Sequence, residues 1–295
     1  MSIVTVQSYI EQLAERFQQS ELFYGHGTDN PFDEAVYLVY GALDLSFDAA
    51  AGSARRQLAK EEVSALEALV NLRLGQRIPV AYLVGKAWFG GYEFHCDSRA
   101  LIPRSPIAEL INKRFQPQLK QAPERILDLC AGGGCIGIVC ALQFPTCAVD
   151  LAELSASACD LARANVELHQ LSARVQVLES NLFSALTGHY DLIITNPPYV
   201  SREEVAALPQ EYGHEPKLGL LSEDTGLQLP LQILQRAADF LTTDGVLIME
   251  VGYSQKHLAA RLDAVPLQWL QFEHGGEGVF VLSRKQLQQY AELLV

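Results

Sequence analysis

The sequence predicts an α/β protein: an open, largely parallel sheet preceded by a small helical domain. Three observations predict it. Beyond residue 107, short apolar runs alternate with helical stretches. The first 75 or so residues repeat apolar positions every three to four along the chain. Between these two regions lies an aromatic, β-branched stretch interrupted by Gly90-Gly91. Continuous apolar strands separated by helices fit a parallel sheet covered on both faces.

The elements follow in order. In "VQSYIEQLAERFQQS" and "AKEEVSALEALVNLRLGQR" apolar residues recur at helical spacing with charges between them, and "GHGTDNP" separates the two as a turn-rich loop. These place a helical domain at 1–78. The stretch "AYLVGKAWFGGYEFHCDSRALIPR" reads as a β-hairpin turning at the glycine pair, and Pro103 and Pro106 close a linker at 79–106. In the main domain, 107–295, strands are expected at 126–130, 147–152, 174–178, 191–195 and 245–250. Helices are expected at 135–144, 156–168 and 228–241. The closing "LQWLQFEHGGEGVFVLSRK" reads as two strands about a Gly-rich turn, an antiparallel hairpin at the sheet edge.

Composition narrows the function. The 295 residues are 49% hydrophobic, ample for a packed core, and the net charge is −13 with a pI near 5.0. Nucleic-acid binding draws most of its strength from Lys and Arg on phosphates, and no basic cluster is visible, so specific nucleic-acid binding is not expected. A basic protein partner suits this charge. No apolar run reaches the roughly 18–20 residues that span a bilayer. The amino terminus lacks a basic start followed by an apolar stretch, so neither membrane nor signal peptide is expected, and a cytoplasmic location is. Cys96, Cys130, Cys135, Cys140, Cys147 and Cys159 form no C-x-x-C pair, which favours reduced, buried thiols over a metal site.

"ILDLCAGGGCIGI" passes from strand to helix through Gly132, Gly133 and Gly134, and satisfies G-x-G-x-x-G at Gly132, Gly134 and Gly137. Glycines let backbone approach a ligand, and Glu153, at the end of the next strand, is placed to grip a ribose diol. A dinucleotide and S-adenosylmethionine both use such a site. Two details favour the latter. Asp128 stands four residues before Gly132, and acidic groups suit a ligand with a free amine better than they suit a pyrophosphate, which wants donors. Cys130 is included among the expected cofactor contacts. Asp150 competes with Glu153 for the ribose. The position of Glu153 just before Ser155, a helix cap, favours Glu153.

A second motif ends a different strand: "TNPPYV", residues 195–200. The two prolines stiffen the backbone and remove donors. Asn196 offers a side-chain carbonyl, Pro197 a backbone carbonyl and Tyr199 a flat ring. Together they suit a planar NH₂ group, one acceptor to each N–H and the ring against its face. Ligands in open α/β sheets bind outside the carboxyl ends of strands, so both motifs are expected to open onto one crevice.

With these residues in view, the chain resembles the glutamine N(5)-methyltransferases that act on proteins. "DLCAGGGCIGI", "NPPY", "FGGYEF" and "LIPRSPIAEL" carry the likeness. "GHGTDNPFDEAVYLV", "RIPVAYLVGKAWF", "HEPKLGLLS" and "FEHGGEGVF" resemble the branch that modifies the large-subunit ribosomal protein L-three. The likeness implies a class I, Rossmann-like methyltransferase domain using S-adenosylmethionine, with the helical 1–78 recognising substrate. It assigns Asn196, Pro197 and Tyr199 to the substrate clamp. Asp128, Gly132, Gly134 and Glu153, with Asn196, go to the cofactor. The chain departs from the family in three places. A-G-G-G stands for T-G-S-G, "LSEDTGL" stands for a Gly-rich form near Ser222, and Asn181 stands in "SNLF" where an acid usually meets the adenine amine. An Asn181 oxygen can still accept that bond, with weaker cofactor discrimination expected.

The alternatives are a release-factor glutamine as substrate, or the exocyclic amine of adenine in nucleic acid. A non-catalytic assembly factor and a nicotinamide dehydrogenase follow. His26 and His214 are expected on the surface or in packing, and Trp88 and Phe89 between domains. Arg104 either seats substrate or pairs with Glu109.

Overall fold

A computed structural model describes residues 4–47 and 50–294. Its centre is a sheet of seven strands. The hairpin before it holds β1 (Lys86–Phe89) and β2 (Tyr92–His95). The sheet holds β3 (Arg125–Leu129), β4 (Ala148–Glu153), β5 (Val175–Glu179), β6 (Tyr190–Thr195), β7 (Leu241–Glu250), β8 (Gln268–Trp269) and β9 (Val279–Ser283). Their order across the sheet is β5-β4-β3-β6-β7-β9-β8. β3 to β7 are parallel to one another, and β9 runs antiparallel to both β7 and β8.

Register positions the site. Leu129 of β3 stands opposite Ala152 of β4 and Thr195 of β6, and Thr195 stands opposite Met249 of β7. The next residues along these strands are Cys130, Glu153, Asn196 and Glu250. Four neighbouring strands therefore end level at one margin of the sheet. Each face of the sheet carries its own apolar layer. One is built on Ile107, Ile111 and the 135–143 helix, the other on Leu231, Ile233, Leu234 and Leu287.

The helical region packs Val6–Gln18, Pro31–Ala42 and Lys60–Gln76 around Leu13, Phe17, Leu38 and Leu66. The expected loop "GHGTDNP" ends inside the middle helix. Asn30 caps it by accepting from the Asp33 N–H at 2.9 Å, and Pro31 takes the first turn, where a missing N–H costs nothing. Arg73 is buried in this region. Its Nε lies 2.6 Å from Glu34, one Nη lies 3.1 Å from Glu211, and the other donates to the Phe23 carbonyl at 2.9 Å. Glu211 belongs to the 3₁₀ turn Gln210–His214, beyond β6, so the ion cluster bolts the helical region to the sheet domain.

Several expectations shift. The 79–106 linker opens not on a strand but on a helical turn, Val80–Val84, stopped by Gly85 at φ 72°. The hairpin keeps only 86–95. Along β1, Trp88 packs on Tyr37 (5.2 Å between ring centres) and Phe47 (4.8 Å), while the next residue, Phe89, enters the sheet-domain core. The alternation of strand side chains thus supplies one ring to each side of the junction. The strand expected to reach residue 130 stops at Leu129, because Cys130 takes φ 62°. β7 begins at Leu241, four residues before the expected start. In the closing hairpin it is β9 that sits inside the sheet, and the two-residue β8 forms the edge. None of the helices among the described residues is long and apolar enough to cross a membrane.

Candidate active site

At the level margin of the sheet lies a cavity of about 360 Å³. Cys130 and Gly132 line it from β3's exit, Glu153 from β4's, Asn181 from β5's, Asn196, Pro197 and Tyr199 from β6's, and Glu250 from β7's. The hairpin side is closed by the segment 98–105. The two motifs read from the sequence therefore share one mouth, of a size suited to a small organic ligand.

The glycine loop is held by carboxylates. Glu153 accepts from the Gly132 N–H through Oε2 at 2.9 Å and from the Ser155 N–H through Oε1 at 2.8 Å. Both oxygens keep lone pairs free for a hydroxyl pair. Gly134 has φ 81°, and a Cβ there would stand 2.8 Å from Leu151 Cδ1, so this position needs glycine on two counts. It caps the helix Cys135–Gln143 without lining the cavity.

Asp128 is likewise absent from the cavity wall. It is 1% exposed, and its Oδ2 accepts from the Gly137 N–H at 2.8 Å, pinning the helix start to β3. Burial, opposed by the Gly137 bond and reinforced by the charge of Glu153, pushes its carboxyl up to about 7. The expected direct contact to cofactor becomes a support beneath the loop. Asp150 is also withdrawn. Arg125 pairs with it at 2.9 Å and Tyr190 donates to it at 2.7 Å, away from the cavity.

In the second motif, Thr195 Oγ1 donates to the Leu129 carbonyl at 2.8 Å, tying the end of β6 to the end of β3. Pro197 and Pro198 are buried and Asn196 is half-buried. Among the described residues no hydrogen bond engages the Asn196 amide or the Pro197 carbonyl. Two acceptors are thus left open at a cavity wall. Tyr199 is fixed at both ends: its carbonyl accepts from Ser254 Oγ at 2.6 Å, and its hydroxyl donates to Glu250 Oε1 at 3.3 Å. Two glycines clear space for it. A Cβ on Gly226 would stand 2.1 Å from the Tyr199 carbonyl oxygen, and one on Gly252 would stand 2.6 Å from its ring. Gly226 falls in "LSEDTGL", so that divergent loop braces the Tyr199 backbone.

Arg104 lines the cavity and pairs in bidentate fashion with Glu215, both contacts at 2.7 Å. Glu109 instead accepts from the backbone of Glu273 and His274. Burial works to raise Glu215, but His26, 3.5 Å away, and Arg104 hold it down at about 2. His26 is buried, and His214 meets the Gln76 carbonyl at 2.8 Å, so both sit at the junction of the two halves.

Three contributors escaped the sequence reading. Glu250 closes the apolar run "GVLIME" at a strand's carboxyl end, a signal of the same kind as Asn196. Ser105, in the "PRSP" segment, donates to Glu250 Oε2. Asn165, fully buried, donates to the Gly133 carbonyl at 2.9 Å and accepts from the His95 N–H at 2.8 Å, joining hairpin to glycine loop. It lies inside a helix, where nothing in the sequence marks it. The six cysteines are free thiols, five of them buried.

A family model described as the methyltransferase small domain matches residues 108–211. A solved structure of the hMettl16 catalytic domain, in complex with the MAT2A 3'UTR hairpin 1, superposes with a TM-score of 0.51 at 14% identity. It covers 83% of this chain and 90% of its own, and shows the shared fold. Fold and site define a Rossmann-like methyltransferase. Two curated relatives are ribosomal protein uL3 glutamine methyltransferases. That of Francisella tularensis is 40% identical over 291 residues, 98% of this chain and 93% of the relative. That of Neisseria gonorrhoeae is 40% identical over 287 residues, 97% of this chain and 96% of the relative. The chain belongs to the family of ribosomal protein uL3 glutamine methyltransferases.

Proposed function

We propose that the protein transfers a methyl group from S-adenosylmethionine to the side-chain amide nitrogen of a glutamine in ribosomal protein uL3. The observation that carries this reading is the pair of unclaimed acceptors, Asn196 Oδ1 and the Pro197 carbonyl, facing the same cavity as the glycine loop and Glu153. The names and near-complete coverage of the relatives support the substrate.

The residues present fit the cofactor. Glu153 would take the ribose hydroxyls, the Cys130–Gly132 backbone would border the cofactor, and Asn181, whose side chain is exposed, would accept from the adenine amine. When bound, S-adenosylmethionine supplies an electrophilic methyl group. The protein's work is on the nucleophile. An amide nitrogen is weak because its lone pair is delocalised into the carbonyl. Asn196 and Pro197 each accept one N–H, which orients the nitrogen and stabilises the positive charge it gains as the new bond forms. Tyr199 bounds the amide plane. Holding the two reactants aligned contributes up to roughly 7–11 kcal/mol in ideal cases. The methylated amide is strongly acidic and sheds its proton without a dedicated base.

The helical 1–78 serves as the substrate-recognising domain in this reading, with a basic protein as partner and the cytoplasm as the place of action. The substrate is uL3, free or within an assembling large subunit. The test uses tritiated S-adenosylmethionine and ribosomes, or free uL3, from cells lacking the enzyme. Label recovered as N5-methylglutamine in uL3 supports the reading. Label confined to a release factor or to nucleic acid overturns it.

A further inference from the structure

Glu250 has no part in the mechanism above, yet it stands at the cavity wall and is 5% exposed. Its two carboxylate oxygens are taken by two hydroxyls from different parts of the chain. Ser105 Oγ, in the segment that joins the hairpin to the sheet domain, donates to Oε2. Tyr199 Oη, the ring of the acceptor pocket, donates to Oε1 at 3.3 Å. We propose that Glu250 is a positioning residue for methyl transfer: as a carboxylate it holds the Tyr199 ring and the 98–105 wall at a fixed separation across the acceptor pocket.

The chemistry asks for an acid here. A carboxylate is acceptor-only and can take both hydroxyl protons at once. A protonated carboxyl must present one O–H, so one hydroxyl has to turn and the pair of bonds is no longer both donated inward. An amide has the same defect, one oxygen and one NH₂. Apolar neighbours and the close approach of Gly252 border the ring, but among the described residues Glu250 is the hydrogen-bond partner of its hydroxyl. Gly252 is bare, Val279 of β9 stands opposite Glu250 in register, and among the described residues the Arg104 guanidinium is the charge that acts on the carboxylate, itself claimed by Glu215. The titratable groups around it are Tyr199 and Arg104, with Tyr212 beside Arg104 and, behind it, Glu215 and His26. Burial, offset by the Ser105 and Tyr199 bonds and by Arg104, moves the Glu250 carboxyl up to about 7, so its charge changes within the working range of an enzyme.

The inference rests on the reading of Asn196, Pro197 and Tyr199 as the amide pocket. Its test combines kinetics with structure in Glu250→Gln and Glu250→Ala, both in the full-length protein. With wild type, kcat rises with pH along a limb near 7. In Glu250→Gln the limb is expected to vanish and kcat to fall roughly tenfold or more, with KM for the protein substrate and the calorimetric affinity for S-adenosylmethionine changed less than about threefold. Tyr199→Phe and Glu250→Gln are expected to be non-additive, since they break one bond from its two ends. A folded Glu250→Gln variant with wild-type kcat and an unchanged limb overturns the proposal. A crystal structure of Glu250→Ala decides independently of substrate: displacement of the Tyr199 ring supports it, and a ring left in place overturns it. Failure of wild type to methylate uL3 counts against the substrate alone.

Discussion

Asn196 shows how much a single side chain carries. Among the described residues its amide oxygen has no internal partner, and in the proposed mechanism it is one of two acceptors at the reacting nitrogen. Replacing it by Ala removes charge stabilisation in the transition state, worth about 100- to 1,000-fold in kcat for a lost oxyanion-type contact. Stopped-time methylation of uL3 checks this, with the fold confirmed by circular dichroism. Asp128 gives a different residue-scale expectation. Its pKa is raised from 3.8 to about 7 in the folded chain. A raised acid binds its proton more tightly when folded, so its stabilising contribution is complete below about pH 4 and is lost as pH rises through 7. Asp128→Asn retains an acceptor for the Gly137 N–H and removes that titration. Chemical denaturation of the cofactor-free protein is expected to show a flatter loss of stability between about pH 4 and 7 in the variant, and identical slopes in both proteins would contradict it. The Asp128 motif was readable from spacing, but its role was not. Whether a strand residue faces a ligand or a helix start depends on which side of the pleat it takes, and Leu129 ending the strand at Cys130 settles that geometry.

At the level of elements, the apolar runs marked every parallel strand to within a few residues, because the central strands are covered on both faces and even the edge strand β5 turns Val175 inward. Most readings that moved did so at ends, while the helix Pro31–Ala42 stands between the two helices read from the sequence. Cys130 adopts a left-handed conformation that residues other than glycine seldom take, and Val80–Val84 curls before the hairpin because Gly85 can stop a turn. The β9 insertion followed from no local signal, since hairpin partners look alike in sequence and only the sheet chooses which one lies inside. The acceptor pocket adds a requirement at this scale: the loops after β6 and β7 interlock through glycines. Gly252→Ala places a Cβ 2.6 Å from the Tyr199 ring, at a φ of 44° that favours glycine. The expected result is a folded protein with the ring displaced, kcat reduced at least tenfold and S-adenosylmethionine affinity little changed. Calorimetry and single-turnover kinetics separate those quantities. Equal losses in cofactor binding and rate would place the damage in the glycine loop instead.

For the whole molecule, charge is the dominant feature. A chain of net charge −13 meeting a basic protein gains association rate from long-range attraction, and salt screens that attraction over about 10 Å at 0.1 M. kcat/KM for uL3 is therefore expected to fall as ionic strength rises from 20 to 300 mM, while kcat at saturation stays nearly level. A salt-independent kcat/KM would argue for recognition by apolar contacts alone. This property was legible from composition. What composition left hidden was the seam between the halves, written in residues far apart along the chain: Phe23, His26, Glu34 and Arg73 on one side of the junction, Glu211 and Glu215 on the other, with Arg104 of the linker paired to Glu215.

That seam bears on how such an enzyme changes its target over time. Arg73 lies almost wholly out of water with two carboxylates and a carbonyl around it, and removing one member of such a buried group costs about 3–5 kcal/mol. A helical module grafted from a relative with a different target must therefore bring its own cation to Glu211, or strand a bare anion beneath the pocket loop. Replacing the helical region as one block is therefore costly, whereas changes confined to its exposed face leave the buried cluster intact.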